Sequence, residues 1–345
     1  MSDRDYRLFI NIPFCTQQCS FCLLETYNSV ELLRDYIDGM IGELRLRIRD
    51  RKLAFETGYI GGGSPTLALP FLVDFINELR EEITLDPSEF TIDAMPGTFG
   101  IPEATRLLRL GINRISLSIF SLNDQFLKEY GRPYDSEQAV IAYHILRQVG
   151  FKNIDLVLSI KDDSIINLWQ ETIELAATLE PEHITIWPID KDGEIKECYL
   201  WADEYLTAIG FEHYEYHSFA RKGFRSQFLV QKLRFSPQIG LGLSAKTIEG
   251  EFLERNYDKI EDYLDAVNGA ELPIMSRERL IRKQIRIISG LKSFMGIKKD
   301  LIPDSTLNRY LKEGLFYEDG DMIYPTKIGY LLSEAVFNQI NQYLV

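Results

Sequence analysis

Cysteine and histidine are scarce, with four of each in the 345-residue chain. A disulfide framework draws on an even, dispersed set of cysteines in a secreted protein. Here Cys15, Cys19 and Cys22 are crowded together and the only other cysteine, Cys198, is far along the chain. Zinc knuckles come as paired short motifs. No second C-x2-C and no H-x3-H follows, and the histidines are scattered at 144, 183, 213 and 217. No apolar run is long enough to span a bilayer, and no basic, apolar leader opens the sequence, so the cytoplasm is the expected compartment. Positive charge is also in deficit. With 38 basic against 52 acidic residues and a net charge of −14, the chain lacks the clustered cations that nucleic acid or an anionic membrane surface demands. A small molecule or a peptide is the expected substrate. No internal repeat or low-complexity tract is present.

What is present is "NIPFCTQQCSFC" at residues 11–22, three cysteines spaced C-x3-C-x2-C behind an apolar run and a proline. Two readings stay open. One is a zinc site with an incomplete ligand set; the other is an iron–sulfur cluster, in which three thiolates on a four-iron cube leave one iron free to take a further ligand.

Short β-branched or aromatic runs alternate with longer amphipathic stretches along the first two thirds of the chain. The pattern predicts strands near 6–12, 57–60, 89–94, 113–119, 153–159 and 183–188. Helices are predicted near 31–50, 67–83, 102–110, 124–149, 165–179 and 198–209. Such alternation means parallel strands with helical crossovers, an α/β fold of the partial (β/α)6 barrel type. A barrel with its extension over 1–255 and a small, mainly helical, winged-helix-like domain over 271–345, with a wing at "FYEDGDMIYPT", is the expected organisation. In parallel β/α folds the loops after the strands meet at one face, where ligands bind. The cysteine loop follows the first strand, "GGGSPT" (61–66) the second, "DAMPGT" (93–98) the third and "FSLND" (120–124) the fourth. Asp155 lies within the fifth strand and "WPID" (187–190) ends the sixth. Packing alone gives no reason to gather cysteines, glycines and carboxylates at one end.

The C-x3-C-x2-C motif resembles that of radical S-adenosylmethionine (SAM) enzymes. "YIGGGSPT", "PGT", "GINRISLSIFSLND", "YGRPY", "GFKNIDLVLS" and "GLGLSAKT" resemble the oxygen-independent coproporphyrinogen III oxidase branch of that superfamily, and the likeness spans nearly the whole chain. The branch holds the oxidase, a heme chaperone, anaerobic heme-degrading enzymes, and methyl- or methylene-transferring enzymes. The resemblance implies that Cys15, Cys19 and Cys22 ligate a 4Fe–4S cluster whose open iron is chelated by SAM, and that an electron from a flavodoxin or ferredoxin cleaves SAM to a 5′-deoxyadenosyl radical.

It further implies a first SAM near Gly61, Gly62, Gly63, Ser64 and Asp93. Positions matching a second SAM are Phe21, Gly63, Ser64, Arg132, Asp155 and Asp190, with Lys246 at another contact point. Arg132 and Asp155, with Tyr27 lining the pocket, are the candidate catalytic residues. Three departures stand out: Phe120 replaces the branch's usual glutamine, Phe9 and Asn11 replace a tyrosine and a histidine, and "LVLSIKDD" replaces "LIYGLPxQ". These weaken the porphyrinogen reading and favour one-carbon transfer from a second SAM, with oxidative decarboxylation and heme carriage as the alternatives. A monomer is expected. Each residue also has a plainer reading. Arg132 and Asp155 suit structural ion pairs, Cys198 suits an ordinary packed position, and His213 and His217, at period two, suit packing on one strand face.

Overall fold

The computed structural model describes residues 6–22, 24–49, 51–189 and 194–341. The six strands expected first are β1 (Tyr6–Ile12), β2 (Ala54–Gly62), β3 (Thr84–Ala94), β4 (Arg114–Phe120), β5 (Ile154–Ile160) and β6 (His183–Pro188). The helices between them are α1 (Val30–Ile48), α2 (Leu69–Glu82), α3 (Ile101–Arg109), α4 (Asp124–Glu129), α5 (Ser136–Val149) and α6 (Ile166–Thr178), with α7 (Lys196–Ala208) after β6. This order is the alternating β/α arrangement expected from the sequence, followed by a mainly helical C-terminal region. The helix expected over 124–149 is broken into α4 and α5. Gly131 has φ +66°, Pro133 follows two residues later, and Asp135 caps α5 by accepting from Gln138 N at 2.8 Å. The break leaves Arg132 on a loop.

The chain divides into two compact units. One comprises Met1–Val157, Ser226–Phe228 and Ser236–Arg279; the other comprises Leu158–Arg225, Leu229–Phe235 and Leu280–Val345. In the first, β1 pairs in parallel with β2, β2 with β3 and β3 with β4. On its other edge β1 pairs in parallel with Gln238–Leu241, Arg7 lying opposite Gln238. Strand alternation sorts the side chains. Leu8, Ile10, Ile60, Ile92 and Ile115 are fully buried with the helices' apolar faces, while the opposite face carries Asn11, Tyr59, Asp93 and Ser116.

On α1 the buried positions Leu33, Tyr36, Ile37, Met40, Ile41, Leu44 and Ile48 follow helical spacing, yet Glu43 and Arg47 share the buried face. Glu43 accepts from Arg47 Nε at 2.7 Å, Asn256 Nδ2 at 2.8 Å, Tyr263 Oη at 2.7 Å and the backbone N–H of Gly242 at 2.9 Å. Arg47 also donates to Asn256 Oδ1 and Glu254 Oε2. The charge is thus fully paired and hydrogen-bonded, the condition under which a buried ion pair is tolerated.

In the second unit β6 pairs antiparallel with Ser218–Ala220, which pairs antiparallel with Glu212–Glu215. Residues 287–340 close a core of their own around Ile287, Leu291, Ile297, Ile323 and Ile340. The wing is the antiparallel pair Phe316–Asp319 and Met322–Pro325. Among the described residues no helix is long and apolar enough to cross a membrane.

Replacing Glu43 by alanine leaves the Arg47 guanidinium buried without its main partner. Urea unfolding is expected to register a loss of about 3–5 kcal/mol, and a loss below about 1 kcal/mol would show that the network contributes little.

Candidate active site

The cysteine loop leaves the end of β1 and is closed at its base by backbone bonds. Tyr27 N donates to Pro13 O at 2.9 Å and Cys15 N to Tyr27 O at 3.0 Å. Gln18 Nε2 ties the far side by donating to the carbonyls of Cys22 and Leu24, each at 3.0 Å, and Gln17 Nε2 donates to Gly131 O at 2.6 Å. Tyr27 is therefore a staple of the loop. Its hydroxyl accepts the backbone N–H of Ile260 at 3.3 Å. All three cysteines are half-buried free thiols. Burial, then the neighbouring Cys22 and Cys19, push the Cys15 thiol up to about 11, so the other two cysteines stand close enough to disfavour ionisation of Cys15. Among the described residues no three His, Cys, Asp or Glu side chains converge on a single-ion site.

The glycine loop lies directly against this one. The β1–β2 register places Asn11 opposite Gly61 and Ile12 opposite Gly62. Beyond the strand ends Gly63 N donates to Ile12 O at 2.9 Å and Ser64 N to Phe14 O at 2.8 Å. A Cβ on Gly63 would stand 2.8 Å from Cys15 Sγ and 2.7 Å from Phe14 O, and Gly62, at φ +119°, would meet Asn11 Oδ1 at 2.3 Å. Ser64 is buried, its hydroxyl 3.5 Å from Thr66 Oγ1. Thr66 in turn joins Thr98 of the third loop at 2.5 Å, and Thr98 donates to Met95 O.

Below the glycines, Tyr59 Oη donates to Asp93 Oδ1 at 2.5 Å. A Cβ on Gly61 would come within 2.8 Å of Asp93 Oδ2, so the carboxylate lies across the face that glycine leaves open. Burial, against the opposing hydrogen bonds of Tyr59 and Ser116, raises Asp93 to about 6, and the nearby Asp155 adds to the rise. Asp155 is itself buried, 3.4 Å from Arg114 Nη2 and 3.4 Å from Ser116 Oγ. Its plainer reading as a structural ion pair describes its surroundings.

Arg132 is similarly engaged. Nε donates to Tyr134 Oη at 2.9 Å, Nη2 to Ser118 O at 3.2 Å, and Nη1 lies 3.6 Å from Cys19 Sγ. Its guanidinium sits over the rings of Phe120 and Phe21 at 5.2 and 5.9 Å, and those rings stack on each other at 4.6 Å. Phe120 is buried and holds φ +62°, a left-handed conformation rare for a bulky residue and common at functional sites. The open fork expected of Arg132 is absent, because most of its donors already have partners.

Asp190 lies outside the described residues. Lys246 is exposed at the start of the strand Lys246–Glu249. His213 lies in Glu212–Glu215, with Nδ1 2.7 Å from Asp203 Oδ1. His217 falls in the turn beyond that strand, with Nδ1 2.9 Å from Ile186 O, so the two do not share a strand face. Cys198 is buried in α7, its thiol 3.6 Å from Asp162 O. Residues that sequence reasoning missed are Tyr59, Ser116, Thr98 and Tyr134. Tyr59 sits two positions before Gly61 on the same strand face, the one signal that pointed to it.

Residues 10–170 match the family model described as the radical SAM superfamily. Over that span the chain carries a radical SAM domain. It is similar to heme chaperone HemW of Escherichia coli, 28% identical over 95% of this chain and 96% of that one. To heme chaperone HemW of Bacillus subtilis it is 24% identical, over 95% and 97%. Among solved structures, the coproporphyrinogen III oxidase HemN of Escherichia coli, titled a radical SAM enzyme, covers 99% of this chain and 91% of its own at 19% identity, with a TM-score of 0.82. The cofactors of a radical SAM protein are a 4Fe–4S cluster and SAM. The residues fit both. Three thiols share one loop, the ligand type and close spacing from which a thiolate-held cluster is built, and the Arg132 guanidinium stands beside Cys19. Three thiolates on one zinc at about 2.3 Å would converge more tightly than these do. Beside them the three glycines let the second loop lie in backbone contact with the cysteine loop, so that a ligand held there would reach both.

Two outcomes follow. Gly63→Ala, which must displace either Cys15 or the Phe14 backbone, is expected to lower the iron and sulfide retained after anaerobic reconstitution, whereas Cys198→Ala leaves them unchanged. Because folding raises the Asp93 pKa, ionising Asp93 costs stability as pH rises from about 4 through about 6. Relative to Asp93→Asn, the wild type should therefore lose up to about 3 kcal/mol across that window. Parallel stability–pH curves for the two proteins would refute the assignment.

Proposed function

We propose that this chain holds a 4Fe–4S cluster through Cys15, Cys19 and Cys22, receives one SAM on Gly61, Gly62, Gly63, Ser64 and Asp93, and handles heme as cargo in the manner of the chaperone relatives. The observation that carries this reading is the filling of the second-SAM position. Phe120 supplies a buried ring where the branch has an amide, Arg132 is bound into the loop beside it, and Asp155 is paired with Arg114. The two residues on which one-carbon transfer from a second SAM depended are thus committed to other partners.

The oxidase alternative is weakened at the other end of the motif. Phe9 has no hydroxyl, and Asn11 is buried with its amide donating to Leu243 O at 2.6 Å, so neither offers a proton to a substrate. Two relatives named as heme chaperones match over nearly their full lengths, which supports carriage over oxidation. The cluster supplies one-electron cleavage of SAM when reduced. The protein's part is to seat SAM against the open iron and exclude water from it. A flavodoxin or ferredoxin is the fitting electron donor, and the cytoplasm and a monomeric state fit the composition.

The test is an anaerobic heme titration of the reconstituted protein, run with methyl-labelled SAM present. Heme binding at one per chain without stoichiometric SAM consumption is the expected result. Label appearing in a product together with adenosylhomocysteine would instead establish one-carbon transfer, and carbon dioxide release from a porphyrinogen would establish the oxidase.

A further inference from the structure

We infer that Arg132 is a tuning and positioning residue for the cluster, holding Cys19 by an N–H···S hydrogen bond and raising the cluster's reduction potential. This rests on the reading of Cys15, Cys19 and Cys22 as the cluster's ligands.

The geometry fixes the guanidinium from three sides. Tyr134 Oη accepts from Nε at 2.9 Å and itself donates to Ser118 O at 2.5 Å, while the same Ser118 carbonyl accepts from Nη2 at 3.2 Å. With Nε and Nη2 so held, Nη1 is directed to Cys19 Sγ at 3.6 Å, within hydrogen-bond reach of a sulfur acceptor. The rings of Phe21 and Phe120 pack beneath the cation. Phe21 belongs to the cysteine loop and Phe120 to the end of β4, so the stack joins the loop to the sheet. Gly131 O lies 3.7 Å from the same sulfur, and the left-handed turn at Gly131 that breaks the helix before α5 is what brings Arg132 there.

Adding an electron to a thiolate-bound cluster adds negative charge to the sulfurs. A cation donating to one of them therefore stabilises the reduced form more than the oxidised one, and the aromatic stack limits the water that would screen it. In this arrangement the arginine lowers the driving force required of the electron donor. It also explains Phe120. A flat ring can stack on Phe21 and lie under the guanidinium, and the strained φ is the cost of aiming it there.

The experiment is an EPR-monitored redox titration of reconstituted protein without SAM, with iron and sulfide per chain measured first. Arg132→Met, which keeps a long apolar stem, is expected to hold the cluster and to shift the reduced-to-oxidised ratio at fixed poise about tenfold toward oxidised, about 59 mV for one electron. Arg132→Lys should fall between, since it keeps the charge and loses the fork. Tyr134→Phe removes the hydroxyl that orients Nε while preserving volume, and should lower the potential by a smaller amount. It decides the matter if Arg132→Met fails to retain iron. A wild type without iron at the three cysteines would overturn the ligand reading and this inference with it. A full cluster at an unchanged potential in Arg132→Met, or in Tyr134→Phe if that variant must decide, would overturn this inference alone. So would an unchanged SAM-free potential coupled with weakened SAM binding, which would return Arg132 to a SAM contact.

Discussion

The parallel ladder between β1 and β2 continues past the point where both strands end, as Gly63 N meets Ile12 O and Ser64 N meets Phe14 O. Those two bonds bring the glycine loop and the cysteine loop to backbone contact, a separation no side chain could occupy. Everything else in the site is arranged around that closeness. Asp93 can cross beneath Gly61 only because no Cβ is there, and Cys15 can face Gly63 for the same reason. The register of one strand pair thus sets the distance between the residues suited to a cluster and those suited to its ligand.

A second constraint steadies the outer flank of β1. Gly242, at φ +93°, turns the chain directly beside Asn11. Its N–H goes to Glu43, and the Tyr36 hydroxyl donates to Asn11 O at 2.7 Å while accepting from Leu243 N at 2.7 Å. A carboxylate buried on a helix is an expensive way to hold a turn unless all its neighbours donate to it. Here they do, and the strand that launches the cysteine loop is gripped on both edges.

The elements were legible because their signals are local. Each of the six strands is a β-branched or aromatic run closed off by glycine, proline or polar residues, and each was recovered to within a few residues. The break at Gly131 and Pro133 was equally visible and was overridden by apolar periodicity on either side. The cysteine and glycine motifs were legible as chemistry, since few other purposes need three thiols or three glycines in a row. What stayed hidden depends on pairings between distant segments. Glu43 and Arg47 stand at i,i+4 on α1, and nothing local shows that Asn256 and Tyr263 close over them. Tyr59 and Asp93 meet only once β2 and β3 are in register. Arg132 reads as an open fork because the partners that occupy it, Ser118 and Cys19, lie on β4 and in the cysteine loop.

The pairing of β1 with Gln238–Leu241 carries a consequence for how the molecule is made. The strand that launches the cysteine loop leaves the ribosome well before its partner on that edge and the Gly242 turn that Glu43 secures, which emerge more than two hundred residues later. Until then β1 presents an unpaired edge and Glu43 lacks three of its donors. Contacts so distant in sequence form slowly and leave sticky surface exposed while they wait. The nascent chain can therefore assemble its first helices and strands early, but the pocket acquires its final shape only after Gly242, Asn256 and Tyr263 have been made, and cofactor insertion has to wait for them.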